Sequence, residues 1–235
     1  MTKKTAEILR LLKELYPDAR CELDHHTPFQ LLLSTVLSAQ TTDARVNMVM
    51  VPLYEKYPDP EDWLSFSQEE IEGMIKTIGL YRTKAANVYK LVRELMDRFG
   101  GKVPDTMEDL TSLPGVGRKT ADVVLSVAFG IPAIAVDTHV FRVTNRIGIV
   151  NEKTAEKTEF ALMKAIRKDL WIESHHLFIF HGRRCCTARN PQCERCPLTP
   201  YCKYYKALTK SAKTSESGNS KKTVKSDKSS EKTEN

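Results

Sequence analysis

Residues 113–125 read Leu-Pro-Gly-Val-Gly-Arg-Lys-Thr-Ala-Asp-Val-Val-Leu, and eleven residues beyond them comes Val136-Asp137-Thr138-His139. The first stretch sets an amine, Lys119, just after a glycine turn, and the second sets a carboxylate, Asp137. A neutral amine is a nucleophile that can form a Schiff base, and a carboxylate can move protons or stabilise developing positive charge. An unperturbed lysine, with a pKa of about 10.4, is neutral in only about one molecule in 2,500 at pH 7, so its surroundings must favour the neutral form. A helix start, neighbouring Arg118 and partial burial beside Val123 would each do so.

Pro114, Gly115 and Gly117 build a tight turn, because proline presets one backbone angle and glycine permits positive ones. A helix follows from about Gly117. Arg118 and Lys119 then put two cations in its first turn, where the macrodipole favours acids. That break with the local rule predicts an anion there, and the free N–H groups of Gly115, Val116 and Gly117 make a ready phosphate site. Singly, the turn reads equally as an ordinary helix start and Asp137 as an ordinary N-cap. Together they point to catalysis.

The elements that must position these groups are helical almost throughout, so the fold class is all-α. Ile8, Leu11, Leu12 and Leu15 form a stripe that stops at Pro17. Thr27 and Pro28 open a helix buried through Phe29, Leu32, Leu33, Val36 and Leu37, which delivers Gln40 to its C-terminal end. Asp43 is placed to cap the next helix, which Pro52 limits or kinks. Ser67 and Glu70 form a capping box, and Gly79 supplies the stop after Ile78, leaving Leu80 in a tight turn. A helix from Thr83 ends at Gly100-Gly101, and Thr106 caps the helix before the glycine turn. Ile131 to Val136 has no decisive period and reads as strand or loop. Asp137 caps a helix through Val140, Val143 and Ile147, on which Arg142 and Arg146 read as a solvated face and His139 as a structural hydrogen-bonding residue. His25, His26, His175 and His176 lack ligand spacing, and Cys21 reads as a small buried hydrophobe.

The chain has 235 residues and a formal net charge of +6, a modest excess that suits a polyanionic partner. From Thr209 to Asn235 there are seven lysines and four acids but only two apolar residues, Ala212 and Val224, so residues 209–235 are expected to be a disordered tail. No signal peptide opens the sequence and no stretch is long enough to span a membrane, which points to the cytoplasm. Cys186, Cys193, Cys196 and Cys202 follow a C-x6-C-x2-C-x5-C spacing within seventeen residues. Disulfides do not suit that compartment. Four thiolates suit structural zinc or a 4Fe-4S cluster, although zinc usually pairs two C-x2-C knuckles and only one is present.

Leu113 to Leu125 resembles the helix-hairpin-helix of base-excision-repair glycosylases, and Val136-Asp137-Thr138-His139 resembles the loop carrying their aspartate. With Leu37-Ser38-Ala39-Gln40, Ile78-Gly79-Leu80-Tyr81 and the 6-2-5 cysteine spacing, the resemblance runs from about Glu22 to Cys202 and is closest to the endonuclease III family. It implies two helical lobes: residues 22–133, containing the hairpin at about 107–129, and residues 1–21 with 134–208, containing an iron-sulfur loop at 186–202. The implied activity is that of a bifunctional DNA glycosylase and abasic-site lyase, which removes oxidised pyrimidines from duplex DNA through a lysine Schiff base and then cuts the strand by β-elimination. Lys119 would be the nucleophile and Asp137 its assistant, with one 4Fe-4S cluster on Cys186, Cys193, Cys196 and Cys202. Gln40 and Leu80 would hold the extruded state, while Gly115, Val116, Gly117, Arg118, Arg184 and Arg189 contact DNA and Arg183 lies beside them. The implied protein is a monomer associated with the nucleoid. The rivals are an adenine-mismatch glycosylase of the same fold, which lacks a lysine at this position, and a non-catalytic iron-sulfur DNA-binding protein.

Overall fold

The computed structural model describes residues 1–219, with side chains through Ser211. Among the described residues there are twelve α-helices and no strand: α1 Lys3–Leu15, α2 Pro28–Leu37, α3 Asp43–Lys56, α4 Pro60–Leu64, α5 Gln68–Met74, α6 Tyr81–Phe99, α7 Met107–Ser112, α8 Arg118–Ala128, α9 Thr138–Ile147, α10 Ala155–Ala165, α11 Trp171–Arg184 and α12 Lys203–Asn219. The all-α expectation holds. The capping rules hold at Thr27, Ser67 and Thr106, whose hydroxyls each accept an N–H from the first turn. At α5 the box is complete, since Glu70 accepts the Ser67 N–H at 2.7 Å.

Some boundaries differ from the sequence reading. Thr42 rather than Asp43 caps α3, accepting the Arg45 N–H at 3.3 Å, and Asp43 becomes the first helical residue, where an acid complements the dipole. Pro52 lies inside α3 and does not end it. Helix α5 stops at Met74, not near Gly79, and α6 starts at Tyr81, ahead of Thr83. Leu15 is 43% exposed, so the buried side of α1 is Thr5, Ile8, Leu9 and Leu12. Helix α12 continues to Asn219, past Thr209 where disorder was expected, and the remainder of that expected tail, 220–235, lies outside the described residues.

Buried apolar side chains form two clusters. One runs from Leu23 to Ala133 and includes Leu32, Trp63, Ile71, Val88, Leu95 and Leu125. The other joins Ile8, Leu12 and Tyr16 of the N-terminal region to residues between Ile134 and Leu198, among them Val140, Ile147 and Phe178. Ile131 to Val136 has no regular structure, and its buried part, Ala133–Val136, carries the chain from the first cluster into the second. There α9 packs on α11 so closely that a Cβ at Gly182 would lie 2.8 Å from that of His139.

Among the described residues, two outside glycine adopt the left-handed region, Gln40 at φ 55° and Leu80 at φ 59°. Gly79, read from the sequence as the helix stop, is not among the positive-φ glycines, and its neighbour Leu80 takes that conformation instead. For L-residues it costs about 1–2 kcal/mol each. Since Leu80 is 59% exposed, replacing it forfeits little packing. Leu80→Gly is therefore expected to hold or raise stability by up to about 1 kcal/mol, and β-branched Leu80→Val to lower it by about as much. Urea midpoints check this, and indistinguishable midpoints for the two variants would contradict a strained Leu80.

Candidate active site

The hairpin depends on Gly115, at φ 77°, where a Cβ would come within 2.9 Å of the Asn87 Cβ. That glycine turns the chain so that Gly117 caps α8 and Lys119 becomes its second residue. Lys119 is exposed, not buried beside Val123, and opens into a cleft of about 1210 Å³ that it shares with Ser38, Gln40, Asp43, Asp137 and Arg183. Asp137 borders the same cleft while capping α9. Its Oδ1 accepts the N–H groups of His139 and Val140, each at 2.8 Å, and Oδ2 accepts no hydrogen bond among the described residues. Capping and catalysis are therefore compatible roles, one for each carboxylate oxygen.

The anion expected at the first turn of α8 has an internal counterpart. Arg118 grips Glu159 of α10, Nε donating to Oε1 and Oε2 at 3.0 and 2.9 Å and Nη2 to Oε1 at 2.6 Å. Its guanidinium is thus engaged within the protein rather than free for phosphate. Asp122, one turn along α8, is buried with Oδ2 unpartnered. Burial, followed by the nearby Glu159 charge, pushes its pKa up to about 7.

Gln40 and Leu80 are both exposed, each at a left-handed turn. His175 and His176 are not surface groups but buried parts of α11, with rings 3.9 Å apart. Burial holds both below the usual histidine range, His176 at about 4.

Cys186, Cys193, Cys196 and Cys202 all border one small pocket, together with Cys185 and His181. Burial raises the Cys193 and Cys196 thiols, Cys196 to about 12, so a set of thiolates here requires a cationic metal centre. The donor set fits an iron-sulfur cluster. Arg142 and Arg146 are not a solvated face: Arg142 donates to the carbonyls of Cys186 and Gly182 at 3.0 and 2.9 Å, and Arg146 to those of Thr187 and Ala188 at 2.7 and 2.9 Å. They hold the cysteine loop to α9. His181 went unread in the sequence; its Nε2 lies 3.6 Å from Cys196 Sγ and its Nδ1 3.1 Å from Tyr16 Oη. Its position one helical turn before Cys185 was the available signal.

The basic side chains near the loop differ in availability. Arg183 pairs with Glu22 and Asp43. Arg184 pairs with Asp18 at 3.2 Å and lies over Phe180. Arg189 is exposed and in no ion pair among the described residues.

Asp122 gives a test of the α8 environment. Below about pH 4 the folded and unfolded chains both carry its proton; between there and about 7 only the folded chain does, so this group lowers stability as pH rises through that window and then levels. Asp122→Asn is expected to remove that fall, becoming more stable than the wild type at about pH 8 by on the order of 2 kcal/mol. Denaturant melts at several pH values measure it, and a pH-independent difference between the two proteins would place the proton elsewhere.

Comparison with known proteins agrees with this geometry. The family model of the HhH-GPD superfamily base excision DNA repair protein matches residues 33–168, and that of the iron-sulfur binding domain of endonuclease III matches residues 186–202. Endonuclease III of Bacillus subtilis (strain 168) is 50% identical over 190 residues, covering 80% of this chain and 87% of the relative. That of Escherichia coli (strain K12) is 44% identical over 199 residues, covering 85% and 94%. A solved structure of a trapped endonuclease III–DNA covalent intermediate aligns with a TM-score of 0.83 at 48% identity, covering 89% of this chain and all of that one. A thermostable thymine-DNA glycosylase aligns with a TM-score of 0.78 at 27% identity, covering 87% and 98%. With its hairpin, Lys119 and Asp137 inside the matched segment and its cysteine loop matched separately, this chain belongs to the HhH-GPD superfamily of base excision DNA repair proteins, in the endonuclease III branch whose cofactor is a 4Fe-4S cluster.

Proposed function

We propose that this enzyme, a DNA glycosylase and abasic-site lyase, removes oxidised pyrimidines from duplex DNA with Lys119 as nucleophile and Asp137 as its assistant. The observation that carries the reading is that an amine and a carboxylate with one unengaged oxygen border a single cleft. The Lys119 Nζ lone pair attacks C1′ of the damaged nucleotide, and the bond to the base breaks with its electron pair leaving on the base. One amine proton passes by way of Asp137 to the ring oxygen O4′ as the C1′–O4′ bond breaks with its electron pair on that oxygen, leaving a protonated Schiff base between Nζ and C1′. Its acidity lets the C2′ proton depart while the C3′–O bond breaks, expelling the 3′ phosphate. Asp137 Oδ2 takes protons from the amine and stabilises positive charge developing on the sugar.

The base must leave the stack first, at a cost of a few kcal/mol. Gln40 and Leu80, exposed on two turns, suit filling the gap and wedging the opposite strand. The N–H groups of Gly115 and Gly117 and the side chain of Arg189 suit backbone phosphates, whereas the Val116 N–H is already given to the Leu113 carbonyl at 3.1 Å. Arg184 and Arg118 would join them only by releasing Asp18 or Glu159. Two separate apolar clusters support a division into lobes at 22–133 and at 1–21 with 134–208, the cleft lying between. Cys186, Cys193, Cys196 and Cys202 hold the cluster. When bound, it cross-links four thiolates and keeps no open position of the catalytic-metal kind. The enzyme acts as a monomer on chromosomal DNA in the cytoplasm; no helix among the described residues is long and apolar enough to cross a membrane.

Borohydride is expected to trap the wild-type protein on a thymine-glycol duplex. Lys119→Gln should abolish trapping and strand cleavage while still binding an abasic-site analogue. Asp137→Asn should slow base loss by about 10²-fold or more, yet still be trapped on a preformed abasic site. Trapping of Lys119→Gln at the wild-type rate would mean that another amine is the nucleophile. For the cluster, anaerobically purified protein should contain both iron and acid-labile sulfide, and Cys193→Ser should lose them and fold poorly. Zinc without sulfide would contradict the ligand assignment.

A further inference from the structure

Lys84 lies in the first turn of α6, and the mechanism above makes no use of it. It is only 4% exposed, and no carboxylate among the described residues pairs with it. Burial holds its pKa below the ordinary lysine value. A helix N-terminus also repels a cation. An amine so unfavourably placed needs a compensating interaction, and its Nζ makes one, donating to Thr41 Oγ1 at 2.8 Å across 43 residues of sequence.

Each end of that bond belongs to one of the two strained turns. Thr41 follows Gln40, and the Lys84 N–H donates to the Leu80 carbonyl at 3.1 Å. The turns also touch: a Cβ at Gly79 would lie 3.7 Å from Thr41 Oγ1 and 3.8 Å from the Gln40 carbonyl. We propose that Lys84 is a positioning residue which, through Thr41, joins the Gln40 and Leu80 turns into one rigid unit, so that the two side chains enter the duplex together. This rests on the reading of Gln40 and Leu80 as the residues that hold the extruded state. The unit resists independent relaxation of either left-handed residue, and the bond holding it is part-buried, with its amine end 4% exposed.

The test is a double-mutant cycle on single-turnover base removal from a stable lesion pair, using Gln40→Ala, Leu80→Ala and both, first in wild-type protein and then in Thr41→Val and Lys84→Met backgrounds. Thr41→Val keeps the shape and removes only the hydroxyl acceptor, and thermal melts establish that each variant is folded. In wild type the double variant should lose little more than the worse single one, whereas in either background the two losses should multiply to within about twofold. Thr41→Val alone should slow base removal from stable pairs about tenfold but strand cleavage at a preformed abasic site less than about twofold, and Thr41→Ser should restore the wild-type rate. Losses that multiply already in wild type, or a coupling unchanged by both backgrounds, would overturn the strut while leaving the two probes in place. Full rates for Gln40→Ala and Leu80→Ala would remove the probe reading and the strut together.

Discussion

The ion pair between Arg118 and the buried carboxylate of Glu159 is the contact on which the site geometry most depends. It ties the start of α8, where Lys119 stands, to α10 among the residues beyond the crossing segment. Glu159 is 3% exposed while the Arg118 side chain is 40% exposed, so removing Arg118 would leave a buried carboxyl without its cation, at a cost of about 1–3 kcal/mol once solvent screening is allowed for. Asp122, holding its proton near neutrality, avoids placing a second negative charge against Glu159. Two further ties complete the frame: the buried Ala133–Val136 crossing and the pairing of Arg183 on α11 with Glu22 and Asp43. Lys119 and Asp137 thus meet across one cleft because the frame is fixed on several sides, not because either is held by the other.

Helix α9 connects two chemistries that are far apart in sequence. Asp137 closes its N-terminus toward the cleft, while Arg142 and Arg146 reach from its later turns to four carbonyls around the cysteine loop. Close packing against α11 at Gly182 fixes the helix that carries both. An organised cysteine loop and a correctly aimed Asp137 therefore share one rigid support. The loop carries little apolar content of its own, so its order depends on these arginine bonds and on the 4Fe-4S cluster its cysteines suit.

Strain is confined to a few exposed positions. Gln40 and Leu80 take left-handed backbone, and both sit at the end of well-packed elements that can impose it. Such placement trades local stability for side chains that project from the surface without freedom to fold back. Leu80 as the N-cap of α6 has no side-chain oxygen to offer the helix, so its presence there serves no local capping purpose.

Much of this was legible in the chain itself, because the governing interactions span only a few residues. Helical periodicity, the Thr27, Ser67 and Thr106 caps, the Pro114–Gly117 turn, the Asp137 cap and the 6-2-5 cysteine spacing are all local statements of backbone sterics and hydrogen-bond reach. What tertiary structure decided were the partners. Arg118 meets Glu159 across 41 residues, Arg146 the cysteine loop across 41 and 42, Tyr16 His181 across 165, and Lys84 Thr41 across 43. No periodicity encodes such pairings, so a solvated Arg142 and Arg146 was a reasonable local inference that long-range contacts reversed, and the Glu159 partner of Arg118 could not be read from the chain. Burial likewise set the protonation of Asp122, since a carboxyl titrates according to the dielectric and charges that folding brings around it, not according to its neighbours in the chain.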